Sequence, residues 1–203
     1  MTGFPDRCRV FRRLHQAGCF VIPNPWDVGS ARLLARLGFP ALATTSSGFA
    51  WSMGRPDNGV SLTQALAHYR AVAESVEVPV NADFEGGFAT EPAEVGANVL
   101  AATGTGVAGL SIEDSTGDPA RPLLDFTLAA ERIRAARRAI DESGSVSCSP
   151  ADRRASWSGA PIWPRRSAGS RHTGRRAPIA STRRASVPGR RLRRWSRGWL
   201  PSR

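Results

Sequence analysis

Short apolar runs alternate with longer segments of helical periodicity over the first 144 residues. Apolar side chains recur at three- and four-residue spacing in five segments, and this spacing predicts helices. The predicted helices span 6–16, 28–37, 62–76, 91–103 and 126–142. The runs between them are rich in Val, Ile, Leu and Ala, as buried strands are. The predicted strands span 19–23, 40–44, 78–83 and 107–113.

Residue types at the helix ends support these bounds. Ser61, followed by Gln64 three residues later, has the pattern of a capping box before the helix at 62–76. Asp125 is suited to cap the long helix that follows it. Segment 45–50 consists mostly of small residues, and we interpret it as a loop whose backbone N–H groups could hold an anion.

The order of these elements predicts an α/β protein with a parallel sheet. A strand followed by a helix recurs four times, which favours the first four to five units of a (β/α)8 barrel of the TIM type. A Rossmann-like open sheet is the alternative that periodicity alone leaves open. In both folds the carboxyl ends of the strands form the active face, so residues directly after strands are the candidates for chemistry.

Charge divides the chain into two parts. Residues 1–144 hold 13 Arg against 16 Asp and Glu, whereas residues 145–203 hold 15 Arg against a single acid, Asp152. All 28 basic residues are Arg, a bias that indicates a GC-rich gene. We therefore predict an N-terminal part of a barrel at 1–144 and an irregular basic tail at 145–203.

Three interpretations of the tail are open. It contains four of the six Trp residues beside many Arg, Pro and Ser, so it could be a disordered tail or a nucleic-acid-binding arm. It could also be a frameshifted translation of GC-rich DNA. Codons permitted for 158–186 can be read in a displaced frame as an amphipathic helix, a Gly turn and a strand. We favour the frameshift, which sequencing the gene around codon 145 would decide.

The absence of membrane, secretion and disulfide signals in the sequence bears on the compartment and partners that we expect. No apolar run has the length of a membrane span, and the N-terminus lacks the features of a signal peptide. Three scattered cysteines suggest neither a disulfide framework nor a zinc site. We expect a cytoplasmic protein with a small-molecule partner, without a membrane or nucleic-acid partner.

Acidic and amide side chains cluster at the ends of the third and fourth predicted strands. Asn81, Asp83 and Glu85 follow one strand, and Glu113 and Asp114 end the next. Carboxylates that converge at a strand end either hold a hard cation such as Mg²⁺ or perform acid–base chemistry. Glu85 and Asp114 could instead pair with arginines.

Several short motifs occur in a specific order along residues 7–144. They are 24–27 with 30–32, 47–49, 54–57, 81–83 with 86–88, and 112–114. This ordered set resembles the isocitrate lyase/phosphoenolpyruvate mutase superfamily, of the carboxyphosphonoenolpyruvate phosphonomutase-like type. The resemblance implies a (β/α)8 barrel, a Mg²⁺ cofactor and reactions that make or break C–C or P–C bonds through an enolpyruvate-like species.

The resemblance also implies roles for the metal site. Asp83 matches a metal-binding carboxylate, and Asn81 stands where the family usually has the first Asp of an Asp-x-Asp pair. Glu113 matches an acid that contacts the metal through water. Asp57 matches the acid beside the metal site, and we expect it to be catalytic.

Further roles concern the substrate. Ser47, Gly48 and Phe49 match the loop that binds the substrate carboxylate, and Trp26 belongs to the matching loop after the first strand. The family's mutases carry a lysine in the loop that follows Glu113. Here that loop, 115–124, has Arg121 as its one cation, so Arg121 is the second catalytic candidate.

Two departures leave the reaction open. The Lys-Arg-Cys-Gly-His loop of isocitrate and methylisocitrate lyases has no counterpart in 84–90, and loop 115–124 has no Lys. We expect a Mg²⁺-dependent lyase or mutase acting on a 2-oxo acid or phosphonate. The alternatives are a non-functional frameshift product and a nucleic-acid-binding protein. The resemblance also implies that subunits commonly exchange their last helix. We predict no such helix in residues 145–203, so we do not expect a family-like homo-oligomer.

Overall fold

The computed structural model describes residues 4–118, 120–143 and 164–165. The chain divides into two compact units, Met1–Ser170 and Arg171–Arg203, and every described residue belongs to the first. The predicted tail at 145–203 therefore lies outside the described residues, except for 164–165.

Six helices and four strands make up the described part of the chain. The helices are α1 (Phe4–Leu14), α2 (Val28–Arg36), α3 (Ser46–Ser52), α4 (Leu62–Ser75), α5 (Pro92–Thr103) and α6 (Phe126–Glu142). The strands are β1 (Leu42–Ala43), β2 (Val80–Asp83), β3 (Gly109–Glu113) and β4 (Pro164–Arg165). The helix bounds agree with the predicted ones to within about two residues, apart from α3.

The strands form one parallel sheet in the order β1-β2-β3-β4. In its register Asp83 is the partner of Ser111, and Ile112 is the partner of Pro164. Each strand is thus a neighbour of the next strand in the sequence. The predicted α/β class with a parallel sheet is confirmed.

The strand side chains alternate between an apolar and a polar environment. Val80 and Ala82 of β2 and Leu110 and Ile112 of β3 pack into the main core with apolar residues of α2, α4, α5 and α6. Side chains alternate between the two faces of a sheet, so the residues between them point the other way. Those of β2 are Asn81 and Asp83, which makes this polar face the place to look for chemistry.

Helix α1 packs at the amino ends of the strands. Its Cys8 and Phe11 are buried against Ala41 and Ala108, which directly precede β1 and β3. This helix therefore covers the end of the sheet opposite to Asp83. The strand ends that carry the acids lie away from α1.

Both predicted helix caps are present. The Ser61 side chain accepts from Gln64 N, and the Gln64 side chain accepts from Ser61 N, which completes the capping box of α4. Asp125 Oδ1 accepts from the backbone of Thr127 and Leu128 at the start of α6. These side chains satisfy donors that would otherwise be unpaired in the first turn.

The predicted strand at 19–23 was wrong. This segment runs beside β1, where Ala43 N donates to Pro23 O at 3.1 Å and Asn24 Nδ2 donates to Ala43 O at 3.0 Å. It forms no regular ladder in the described structure. Pro23 and Pro25 have no N–H group to donate, which interrupts the pattern that a strand requires.

The loop predicted at 45–50 was also wrong. Helix α3 begins there, with Thr45 as its N-cap accepting from Gly48 N at 3.3 Å. A threonine hydroxyl at this position satisfies a backbone donor of the first turn. The sequence pattern did not indicate this helix, because it has only seven residues and several of them are small residues with weak helix propensity.

Among the described residues, no helix combines the length and the apolar character that crossing a membrane requires.

Candidate functional site

Asp83 lies at the carboxyl end of β2 and is only 5 % exposed. Its Oδ2 accepts hydrogen bonds from the backbone N (3.0 Å) and the hydroxyl (3.1 Å) of Ser46, the first residue of α3. Its backbone N donates to Thr44 Oγ1, and its backbone O accepts from the Tyr69 hydroxyl at 2.6 Å. Its Oδ1 is buried without a hydrogen-bond partner in the part of the chain that the structure describes.

Glu85 and Glu113 lie side by side just beyond Asp83. Glu113 N donates to Glu85 O at 2.7 Å, which extends the pairing of β2 and β3 past the last strand residue of β2. Both residues line a cavity of about 460 Å³, together with the start of the loop at 115–117. Glu85 is 7 % exposed, and its Oε1 is buried without a hydrogen bond to any described residue.

The electrostatics of this cavity are acidic. Burial raises the pKa of Glu85 to about 7, and the negative charges of Asp83, Asp57 and Glu113 add to the increase. Like charges in a poorly solvated place disfavour ionisation. A cation placed among these groups would offset both the cost of burying the Glu85 charge and the repulsion between the carboxylates.

The other predicted metal-site residues are arranged differently. Asn81 is buried, and its Nδ2 donates to Ser111 Oγ and to Ala82 O, both at 3.3 Å. Asp57 is exposed, and its Oδ1 accepts from the backbone of Asn58, which lines the cavity. Asp57 is therefore close enough to contribute charge but points its carboxylate at its own turn.

Arg121 stands apart from the acids. Its side chain is 87 % exposed, and its Nε lies 3.8 Å from Asp118 Oδ2. The loop that carries it folds back through a hydrogen bond from Leu124 N to Asp114 O at 2.8 Å. In this conformation Arg121 is not part of the cavity lining, and its catalytic role remains a prediction.

The predicted substrate residues form a packed cluster on and beside α3. A Cβ atom added to Gly48 would lie 2.5 Å from Trp26 Cδ1, so the indole covers this glycine closely. Gly48 N and Phe49 N already donate to Thr45. The Ser47 hydroxyl lies 3.2 Å from the Thr45 hydroxyl. In this conformation the first turn of α3 holds the Asp83 carboxylate through Ser46.

The family model described as phosphoenolpyruvate phosphomutase matches residues 11–148. The chain belongs to this family. The match includes every residue proposed for the site, from Trp26 to Arg121.

Individual relatives agree with this assignment. A protein of Mycobacterium tuberculosis is 38 % identical over 129 residues, which are 63 % of this chain and 48 % of the relative. A crystal structure of a protein from Burkholderia cenocepacia, assigned as a lyase/mutase, is 44 % identical with a TM-score of 0.65. That alignment covers 67 % of this chain and 50 % of the Burkholderia chain.

A third relative has a named activity. The structure of 2,3-dimethylmalate lyase, a member of the phosphoenolpyruvate mutase/isocitrate lyase superfamily, is 29 % identical with a TM-score of 0.63, over 72 % of this chain and 52 % of that one. The enzyme of that name from Eubacterium barkeri is 39 % identical over 70 residues, 34 % of this chain and 24 % of the enzyme. The chain spans about half the length of the Mycobacterium and Burkholderia relatives. The resemblance predicted from its motifs is confirmed.

The residues at the strand ends fit a magnesium ion. Within 4–118 and 120–143, no three acidic, His or Cys side chains converge tightly enough to enclose a metal ion by themselves. Mg²⁺ is usually held by one or two carboxylates while water and substrate oxygens complete its shell. The unpartnered buried oxygens of Asp83 and Glu85 provide hard ligands of this kind.

Two residues of the site were not predicted from the sequence. Ser46 orients the Asp83 carboxylate, and Arg132 of α6 reaches the cavity from below. Ser46 lies in segment 45–50, which was predicted to hold an anion through its backbone N–H groups, so its position was a usable signal. Arg132 had none, because a helical Arg is normally exposed.

His68 on α4 contacts the substrate cluster through Phe49. Its ring stacks on Phe49, with centroids 3.8 Å apart and planes 11° apart. Burial lowers the pKa of His68 to about 4, against a smaller opposite effect of Asp27. The imidazole is therefore neutral in the folded protein at neutral pH.

We expect the neutrality of His68 to make stability depend on pH. Between its usual pKa of 6.5 and about 4 the unfolded chain binds this proton and the folded chain does not. Stability should fall as the pH is lowered through this range, by at most about 3 kcal/mol. Urea unfolding of the parent and of His68→Gln at pH 7, 5.5 and 4 measures it. The parent should lose stability relative to the variant, and a constant difference would contradict the assignment.

Proposed function

We propose that this chain carries the metal-binding part of a Mg²⁺-dependent enzyme of the lyase or mutase type. Its substrate would be a 2-oxo acid or a phosphonate that reacts through an enolpyruvate-like species. The observation that carries the proposal is the pair of buried carboxylate oxygens without partners, on Asp83 and Glu85, beside Glu113. Family membership supports the same class of chemistry.

We further propose that the described residues form the first units of a (β/α)8 barrel. The sequential order of the parallel strands supports this, as does the helix that follows each of β1, β2 and β3. A groove of about 480 Å³ between β3 and α6 is lined by Ala129 and Ile133, which are half-buried, and by Phe126, which is exposed. A next barrel unit would cover these apolar side chains.

Within this proposal, Asp83 would bind the metal ion directly and Glu113 would contact it through water. The unpartnered oxygen of Glu85 would be a further ligand, and Asn81 lies on the same face of β2 as Asp83. When bound, Mg²⁺ supplies a Lewis acid that stabilises negative charge on an enolate oxygen. Ser46 keeps the Asp83 carboxylate in one orientation, because its two donors bind Oδ2 and leave Oδ1 for the ion. The contribution of this chain is thus to orient charged oxygens before the substrate arrives.

The remaining predicted residues would act on the substrate. Trp26, Ser47, Gly48 and Phe49 would contact its carboxylate end. Loop 115–124, with Arg121 and Asp118, begins at the cavity and would exclude water from it. Asp57 would contribute charge from the side of the turn at Asn58.

We expect Mg²⁺ and oxalate, a planar analogue of the pyruvate enolate, to stabilise the purified chain together. A ligand present at 100 times its Kd adds about 2.7 kcal/mol to the free energy of unfolding. For a domain of roughly 150–250 residues, this increase in the free energy of unfolding corresponds to a rise in Tm of roughly 5–10 °C. Thermal unfolding monitored by circular dichroism, with each ligand alone and with both, measures this effect.

Na⁺ at equal ionic strength is the control, because it separates specific binding from screening of the acidic cavity. The absence of any Mg²⁺-dependent stabilisation would contradict the proposed function. Binding of DNA with a steep dependence on salt would instead favour the nucleic-acid alternative for the tail.

A further inference from the structure

Arg132 is a buried cation in the first half of α6. Its side chain is only 2 % exposed. An arginine is almost never buried without partners, so hydrogen bonds from its guanidinium group are expected. Its Nη2 donates to Gly86 O and to Ala89 O, the latter at 3.0 Å, and its Nη1 donates to Glu113 O at 3.4 Å. One guanidinium group therefore binds three carbonyl oxygens from two separate segments.

These carbonyls belong to the segments that carry the cavity acids. Gly86 and Ala89 follow Glu85 in the loop after β2, and Glu113 is the last residue of β3. The planar fork of an arginine can bind several acceptors in fixed directions, which a lysine cannot do. Arg132 thus links the backbone on both sides of the Glu85–Glu113 pair.

The loop after β2 needs such support. Glu85 has φ +46° and Phe88 has φ +56°, in the left-handed region that is unfavourable for residues other than glycine. Gly87 between them has φ +76°. A backbone of this kind persists only where surrounding contacts determine it. Arg132 supplies two of these contacts, and Asn98 Nδ2 supplies a third by donating to Gly87 O at 3.0 Å.

We propose that Arg132 is a positioning residue that locks the loop after β2 against the end of β3 and thereby sets the spacing of Glu85 and Glu113 for the metal ion. This inference rests on the proposed function for its metal part. Arg132 acts through the backbone, because its hydrogen bonds go to the carbonyl oxygens of Gly86, Ala89 and Glu113. Its role is distinct from that of Arg121, which is exposed.

The test compares Arg132→Lys and Arg132→Met with Arg134→Lys, a control at an exposed position of the same helix. Hydrogen exchange without metal follows the amides of Gly87 and Glu113, which donate to Phe84 O and Glu85 O. We expect both Arg132 variants to exchange these amides at least about tenfold faster, with amides of α4 unchanged. Arg134→Lys should behave like the parent.

The second readout is the Mg²⁺ dissociation constant, measured by calorimetry on the same proteins. Changes behind a metal site typically weaken binding by about 10–100-fold, and we expect this for both Arg132 variants. Arg132→Lys keeps the charge and is the variant more able to fold, so failure of Arg132→Met to fold would not end the test.

The outcomes separate the two proposals. Unchanged exchange at Gly87 and Glu113 overturns the locking role whether or not metal binds. Faster exchange with unchanged Mg²⁺ affinity overturns the link to the metal site and leaves the proposed function intact. A parent protein that binds no Mg²⁺ contradicts the proposed function, and with it the metal part of the inference, while the exchange data still decide the locking role.

Discussion

Asp83→Asn should weaken Mg²⁺ binding by at least about 100-fold, since changes that merely support a metal ligand already cost about 10–100-fold. The substitution removes the charge and replaces one carboxylate oxygen with an amide nitrogen, which cannot bind a cation. The two hydrogen bonds from Ser46 can be kept by the remaining oxygen. Isothermal titration with Mg²⁺ at constant pH measures the change.

The variant should fold normally without metal, because it removes a buried negative charge that neighbours Glu85. The matched control is Asp141→Asn at the far end of α6, where Asp141 pairs with Arg137. Its Mg²⁺ affinity should stay within roughly twofold of the parent, as for an ordinary surface change. If Asp83→Asn binds Mg²⁺ as tightly as the parent, Asp83 is not a ligand.

The features that were predictable from the sequence are local ones. Ser61 with Gln64 determined where α4 begins, because a capping box needs only residues three apart. The carboxylates of Asp83 and Glu113 stand directly after apolar runs. Once the sheet is parallel, such residues must lie at the same edge. The pairing of Asp83 with Ser111 and the hydrogen bond from Glu113 N to Glu85 O agree with this.

The errors came from places where tertiary contacts override local preference. Apolar residues at 19–23 indicated a strand, but the prolines that follow break the ladder, and Val21 remains exposed. Thr45 and Ser46 indicated a loop. A helix forms there because Thr45 caps it and because the Asp83 carboxylate binds Ser46 at its first turn, where the helix dipole favours an anion.

The supporting parts of the site could not be predicted from sequence patterns. The backbone conformation of Glu85 and the burial of Arg132 both depend on contacts across more than forty residues of chain. These contacts exist because α6 packs beside the loop after β2, which brings Arg132 to the carbonyl groups of that loop. A helical arginine otherwise looks like any solvated residue on the polar side of α6.

Phe84→Ala should be the most destabilising change at the site, because Phe84 is fully buried between Asp83 and Glu85. Its ring packs on Phe88 with centroids 5.2 Å apart and on Tyr69 with centroids 6.1 Å apart. Loss of a buried Phe side chain costs about 3–5 kcal/mol, from lost burial and from the cavity left behind. Denaturant unfolding followed by circular dichroism measures the loss.

The packing of Phe84 also has a consequence for function. Phe84 packs into the same core as Val80 and Ala82 of β2, so its ring anchors the chain between Asp83 and Glu85. Phe84→Leu, which refills most of the space, should recover the larger part of the stability and of the Mg²⁺ affinity. Phe126→Ala is the matched control, since Phe126 is 86 % exposed and its loss should change the free energy of unfolding by less than about 0.5 kcal/mol. Equal effects at the two positions would contradict the described core and, with it, the placement of the acids.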